Sequence, residues 1–342
     1  MSLRDDRFLT TTASRRAVLR ALGCAASTFT LGGCASALLS AGARFDAAEL
    51  SVNPTLMVAT TRKPINGAHA KPWFGPDRAK LSLARAKLTP PNDGRFSLAS
   101  VGLGDWRLDG IETVPQFADL LVPGTAARDV LVYIHGFNQT FETAALDAAH
   151  LSDGIRFRGE TMVFSWPSKA KLLDYGYDRE SAMWSRDALE KVFSGLITSP
   201  NVGRIHIVAH SVGTMVTMEA LRQIYTRHGI AAIERIGAVV FAAPDIDMDV
   251  FSSSVDRIGA LAGKITVITA HNDRALAVAG WIAGGITRVG TAEKAALVQL
   301  GLHVIDASQQ GWGIINHDLF LSNAEVRQVI RRAIDGHPPG GA

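Results

Sequence analysis

Six short runs from residue 130 onward are rich in valine and isoleucine and almost free of charge. They are "VLVYIH" (130–135), "TMVFSW" (161–166), "RIHIVAH" (204–210), "IGAVVFAA" (236–243), "KITVITA" (264–270) and "LHVIDAS" (302–308). A strand with one wetted face alternates polar and apolar residues. Near-continuous apolar runs are the habit of parallel strands buried on both faces. Helical-length stretches separate most of them, notably Glu180 to Leu196 and Val212 to Tyr225, where Met218, Leu221, Ile224 and Tyr225 recur at helical spacing. This alternation predicts an α/β fold, a mostly parallel, doubly wound sheet with helices on both faces. Upstream, Leu56 to Thr60 reads as a first strand and Leu81 to Leu88 as another, before turn signals at "TPPNDG". The last helix is expected over Phe320 to Ile334.

In such a sheet, ligands sit outside the carboxyl ends of the strands, so chemistry is sought just after each run. In "AHSVG" a strand stops at His210, Ser211 follows, and Val212–Gly213 opens a helix. A strained strand-to-helix turn between small residues exposes a serine oxygen, which is what a nucleophile elbow needs. The usual pattern is G-x-S-x-G; here Ala209 replaces the first glycine. Helix capping by Ser211 is the plainer reading. After an earlier strand, "IHGFNQTF" places His135 and Gly136 in a loop suited to donating an oxyanion-hole amide, so the expected donors are the backbone N–H groups of Phe137 and Val212. His135 reads as structural.

A serine nucleophile needs a base and an acid to orient it. Of ten histidines, His317 lies after the last strand and just before the last helix, where an imidazole can swing over the elbow. For the acid, Asp273 follows the strand ending near Ala270, and Asp245 follows the preceding strand. Asp273 is favoured because "PDID" reads equally well as helix capping. Trp166 and Asn138 are candidates for lining a pocket. Tyr175, Asp178 and Arg179 read as a solvated helix start rather than part of the site. The sequence carries no phosphate loop, metal-ligand spacing or dinucleotide fingerprint, so no cofactor and no metal are expected.

The order Ser211, Asp273, His317 is that of α/β-hydrolases. The segments "YIHGFNQTF", "FSWPS", "YDRESA", "AHSVGTMVTMEALR", "AAPDIDMDVF", "NDRAL" and "NHDLFLSN" together resemble the bacterial alpha/beta-hydrolase family of unknown function labelled DUF900. The resemblance implies an α/β-hydrolase fold and a serine-hydrolase triad at Ser211, Asp273 and His317, without naming a substrate. A carboxylic ester, short or lipid-like, handled through an acyl-serine intermediate is the expected chemistry. A non-catalytic envelope protein retaining the fold is the competing class.

The N-terminus carries a different message. "SRRAVLRALGCAASTFTLGGCAS" has a charged start, an apolar centre and a small-residue end, the grammar of an export signal. Arg15 and Arg16 resemble a twin-arginine signal, and "LGGC" resembles a lipoprotein cleavage box at Cys34. With Cys24 removed and Cys34 lipidated, no thiol remains for a disulfide or a nucleophile. The expected layout is a signal over 1–33, a tether over 34–52, the hydrolase domain over 53–336 (N-terminal strands and loops 53–128, catalytic core 129–336) and a frayed tail over 337–342. The protein is then expected to be exported and lipid-anchored in a bacterial envelope, with the outer membrane open as a destination. The net charge of +3 over 342 residues leaves no electrostatic footprint for nucleic acid.

Overall fold

The computed structural model describes residues 55–65, 71–90, 106–121, 126–270, 287–308, 321 and 323–337, all within the compact unit Asp46–Ala342. The signal segment with Arg15, Arg16 and Cys34, and the two triad candidates Asp273 and His317, lie outside the described residues.

Among the described residues, nine strands and eight helices follow one another: β1 (Thr55–Pro64), β2 (Phe74–Thr89), β3 (Arg107–Val114), β4 (Arg128–Ile134), α1 (Phe141–Gly154), β5 (Glu160–Ser165), α2 (Tyr175–Trp184), α3 (Arg186–Thr198), β6 (Val202–His210), α4 (Gly213–His228), α5 (Ile230–Arg235), β7 (Ile236–Ala242), α6 (Met248–Arg257), β8 (Ile265–Thr269), α7 (Lys294–Gln299), β9 (His303–Asp306) and α8 (Ala324–Ile334). The strands form one sheet in the order β3-β2-β1-β5-β4-β6-β7-β8-β9. From β1 to β9 every neighbouring pair is parallel, and β2 runs antiparallel to both β1 and β3. This is the α/β-hydrolase fold that the strand–helix alternation predicts.

The reason for the unbroken apolar runs is visible in β4. Val130, Val132 and Ile134 pack into one core layer, with α3, α4 and α6. Leu131 and Tyr133 point the other way, into a layer built with α1 and α8. All five are wholly buried. The helices show the complementary stripe: Leu189, Val192, Phe193 and Leu196 on α3, and Val326, Ile330 and Ala333 on α8, recur every three or four residues.

The structure departs from expectation in several places. The stretch expected as one helix over Glu180 to Leu196 is two helices, α2 and α3, meeting at Ser185. That residue is buried, and its hydroxyl bonds Thr61 Oγ1 on β1 at 2.8 Å and donates to the Ser181 carbonyl at 2.8 Å. β2 extends well beyond Leu81 to Leu88. β3 was not anticipated; as an edge strand it buries only Leu108 and Ile111, so it carries little periodic signal. The last helix begins at Ala324, where the Asn323 side chain accepts from the N–H groups of Glu325 and Val326. Asp247 caps α6, accepting from Val250 N–H at 2.9 Å, which leaves Asp245 free of that duty.

β4 lies between β5 and β6. The chain leaves β4 towards α1 on one face and leaves β6 towards α4 on the other. The carboxyl ends of β4 and β6 therefore flank the point where the winding reverses, the crevice in which open α/β sheets hold ligands.

Candidate functional site

Ser211 occupies that crevice. It follows the last residue of β6 with φ +50°, in the left-handed region that a side chain adopts at a cost of about 1–3 kcal/mol. Three hydrogen bonds fix it there. Its N–H donates to the Ala242 carbonyl at 3.0 Å, and its carbonyl accepts from Thr214 N–H at 3.0 Å and Asp245 N–H at 3.1 Å. Asn138 (φ +62°) and Ala243 (φ +45°) share this backbone geometry in the loops after β4 and β7, so strained residues cluster along the same edge.

Small flanking residues let the segments meet. A Cβ on Gly213 would lie 2.5 Å from the His135 carbonyl and 2.8 Å from that of Ile134, so only glycine lets the start of α4 pass the end of β4. A Cβ on Gly136 would lie 3.0 Å from Ser211 Cβ and 2.8 Å from His210 Nδ1. The β4 loop is thus in van der Waals contact with the serine. Ala209 is wholly buried within β6, level with Ile134 and Phe241, so a methyl group is accommodated there. Among the described residues, no acceptor takes the N–H of Phe137 or Val212.

A buried polar scaffold holds the β4 loop. Arg62, at the end of β1, is 1% exposed. Its Nε donates to Ser165 Oγ at 2.8 Å, Nη1 to the Ser168 carbonyl at 3.0 Å and Nη2 to the Gln139 carbonyl at 2.7 Å. Burial pulls its pKa down to about 9, with Asp178 the largest opposing influence. The Asp178 carboxylate is buried as well and accepts from Ser168 Oγ at 2.5 Å, Lys169 N–H at 2.8 Å and Asn138 N–H at 3.4 Å. Burial raises its pKa, and those hydrogen bonds hold it back. Asp178 is therefore part of the site's framework, which corrects the expectation of a solvated helix start.

His135 and Trp166 brace the same loop. Their rings stack with centroids 4.5 Å apart, and Trp166 Nε1 donates to the His135 carbonyl at 2.9 Å. Trp166 has no exposed surface, so it supports the loop from beneath instead of lining a pocket. Asn138 stands in the loop itself, exposed. Burial, then the nearby Arg62 charge, keep the His135 pKa well below 6.5.

Behind the elbow lies a second buried charge pair. Arg288 Nε is 3.2 Å from Asp245 Oδ1, and both residues are at most 2% exposed. Tyr175 donates its hydroxyl to Asp245 Oδ2 at 2.6 Å, and Phe137 packs edge-on against the Tyr175 ring at 5.3 Å. Burial, then Asp245, raise the Tyr175 pKa. The structure thus brings together Ser211, the β4 loop with Phe137, Val212, and Asp245 with its two partners. Arg62 and Arg288 are members that sequence reasoning missed, since a lone arginine has no spacing that marks it, and Tyr175 is one that it set aside with Asp178 as a solvated helix start. A cavity of about 740 Å³ lies at the amino end of the sheet among Arg128, Arg158, Arg204 and His206, away from these residues.

Comparison with known proteins agrees with this architecture. The sequence model of the family described as "Alpha/beta hydrolase of unknown function (DUF900)" matches residues 117–333, and the chain belongs to that family. The Nostoc sp. protein alr1448 is 26% identical over 124 residues, 29% of this chain and 32% of that protein. The match thus spans about a third of that curated relative's length. Among solved structures, Est1E from Butyrivibrio proteoclasticus is similar with a TM-score of 0.39 at 10% identity, over 75% of this chain and 95% of that one. The catalytic core of acetyl xylan esterase from Trichoderma reesei gives 0.37 at 11%, over 62% and 100% of the two chains. A cutinase-like protein from Cryptococcus sp. gives 0.35 at 14%, over 64% and 98%.

The buried histidines make stability depend on pH. Burial lowers the pKa of both His135 and His206 in the fold. Below about pH 6.5 the unfolded chain takes up protons that the fold refuses. The unfolding free energy should therefore fall as pH drops from neutral towards 5, by up to about 1.4 kcal/mol per pH unit for each imidazole. Asp178 acts with the opposite sign, since its raised pKa stabilises the fold only where it is protonated, and that share is lost as pH rises. Urea titrations across this range measure the slope, and His206→Gln should remove one imidazole's share of it.

Proposed function

We propose that this DUF900 member is a serine hydrolase of carboxylic esters or closely related acyl compounds. The observation that carries the reading is Ser211 held at positive φ on the β6–α4 turn, at the point where the sheet's winding reverses. Strain of this kind persists where surrounding structure enforces it, and it concentrates at functional sites. In the proposed mechanism His317 takes the Ser211 proton as the oxygen attacks the substrate carbonyl. Asp273 holds the imidazole, and the N–H groups of Phe137 and Val212 bind the oxyanion. The leaving alcohol takes the proton from His317, and water then hydrolyses the acyl-serine with the same base.

Asp245 is the less suitable acid. Both of its oxygens are already engaged, one by the Tyr175 hydroxyl and one facing Arg288. A carboxylate so occupied clamps the elbow from behind, while Asp273 follows β8 in the chain, one strand later. The export reading joins this proposal: Arg15 and Arg16 direct the chain out of the cytoplasm, and Cys34 carries the lipid that anchors it in the envelope.

Three experiments test these assignments. A fluorophosphonate probe should label the wild-type protein and leave Ser211→Ala unlabelled; labelling that survives the substitution removes Ser211 from the nucleophile's role. Asp273→Asn should lower turnover of a short-chain ester by about 10²–10⁴-fold with little change in Tm. Asp245→Asn should instead lower stability by about 3 kcal/mol or more, since it leaves Arg288 buried without its counter-charge. If Asp245→Asn abolishes turnover at unchanged Tm, the acid moves to the earlier strand. Finally, Cys34→Ala should move the protein out of the membrane fraction or leave an uncleaved precursor, and an unchanged distribution overturns the anchor.

A further inference from the structure

The carboxyl edge of the sheet carries more than the elbow. β1 and β5 run parallel to β4 and β6, so the segments that follow them emerge at the same edge as Ser211. After β1 comes Ile65, 50% exposed; after β5 comes a tight turn, Leu172–Asp174, with Leu172 76% and Leu173 99% exposed. Trp184, 43% exposed, joins the same rim through Arg78, whose guanidinium lies 5.2 Å from the Tyr177 ring and 5.9 Å from that of Trp184. Four of the seven large hydrophobic residues exposed among the described residues are therefore on this flank.

The leucines are held out on a fixed support. Asp178 accepts from Ser168 Oγ and Lys169 N–H just upstream. Lys169 Nζ sits 4.3 Å over the Tyr177 ring and 3.3 Å from Asp174 Oδ1, and Asp174 N–H closes the turn on the Lys171 carbonyl at 3.0 Å. A partly buried network thus presents two largely exposed leucines beside the crevice. Exposing such a pair to water is unfavourable by about 1.5–3 kcal/mol per side chain relative to full burial.

The same segments carry cations. Lys63, Lys71 and Lys171 are exposed, Arg78 lies between two rings, and Lys71 Nζ stands 5.3 Å over Trp73. Asp174 is already paired with Lys169, which leaves Asp77 and Glu180 as the exposed carboxylates of these segments. Bare leucines, Trp and Tyr rings, and long cationic side chains form the composition that seats a protein on, not through, an anionic lipid interface. No described helix is long and apolar enough to cross a membrane.

We propose that this rim docks on an anionic lipid surface, separately from any anchor at Cys34, and thereby turns the Ser211 crevice towards lipid-borne acyl substrates. The docking stands on the rim itself; the substrate class rests on the hydrolase reading. The test compares two full-length proteins that cannot be lipidated, Cys34→Ala alone and Cys34→Ala with Leu172→Ser and Leu173→Ser. Co-sedimentation is measured with vesicles of phosphatidylglycerol and phosphatidylcholine, and with phosphatidylcholine alone. The leucine variant should bind the anionic vesicles about tenfold more weakly or worse, at unchanged Tm, and Lys171→Glu should weaken anionic binding selectively. Equal binding by both proteins, or equal binding to neutral vesicles, overturns the docking. So does a change of oligomeric state in the leucine variant, which would make the rim a contact between copies. Turnover of a water-soluble ester should be the same in both proteins; its loss would make the leucines part of the substrate pocket instead. Ser211→Ala should bind vesicles normally, so failure of the hydrolase reading and failure of the docking are told apart.

Discussion

The architecture of the site depends on a missing atom. Where a Cβ would stand on Gly213, the His135 and Ile134 carbonyls already approach within 2.8 Å. That contact lets α4 begin immediately beside β4, and it brings Gly136 against the Ser211 Cβ. A side chain at either glycine would push the β4 loop and the elbow apart by a distance comparable to a hydrogen bond's tolerance. The strain at Ser211 is sustained in the same way. Its backbone N–H and carbonyl are held by β7, by α4 and by the residue after the β7 loop, so relaxing φ would break several hydrogen bonds at once.

Two buried cations extend this rigidity outward. Arg62 ties the ends of β1 and β5 to the β4 loop through one guanidinium, with Asp178 supplying the nearby negative charge. Arg288 and Tyr175 hold Asp245, whose own N–H holds the Ser211 carbonyl. Buried pairs of this kind add little net stability over apolar packing, but they penalise any arrangement that separates them. Here that penalty falls on displacements of the two loops that flank Ser211, so the charges specify geometry more than they strengthen the fold.

This division explains what could be read from the chain. β4 to β8 were legible because both of their faces are buried, and a run such as Val130 to Ile134 leaves no polar register to obscure it. Ser211 was legible because a strained turn restricts its neighbours to small residues. β3 was not, since an edge strand with two buried side chains resembles a loop in composition. Arg62 and Arg288 were invisible because their partners are 73 or more residues away in one case and on the previous strand's loop in the other. Asp178 was misread as solvated because a carboxylate on the first turn of a helix is usually a surface feature, and only the fold reveals that the Ser168 loop covers it. Asp245 and Asp247, two residues apart, differ in role because one faces Arg288 and the other the start of α6.

The two ends of the sheet differ in electrical character for a reason rooted in winding direction. Helices α1 and α4 follow β4 and β6 and therefore begin at the carboxyl edge, with their unpaired N–H groups and the positive ends of their dipoles beside Ser211. Their opposite ends, with that of α8, lie towards the amino edge, where carbonyl partial charges are negative. Arg156 and Arg331 stand there, just after α1 and in the last turn of α8, at positions that dipole favours. The arginine-lined cavity at that end is accounted for in part by this polarity, and its volume is no guide to where chemistry occurs. The carboxyl edge beside Ser211 has the opposite polarity, because helices begin there. An oxyanion developing there, as the proposed mechanism requires, would form where two helix starts and the free N–H groups of Phe137 and Val212 already supply positive potential. Such fixed dipoles need no reorganisation as charge appears, which suits the proposed acyl chemistry to the end of the strands where helices begin.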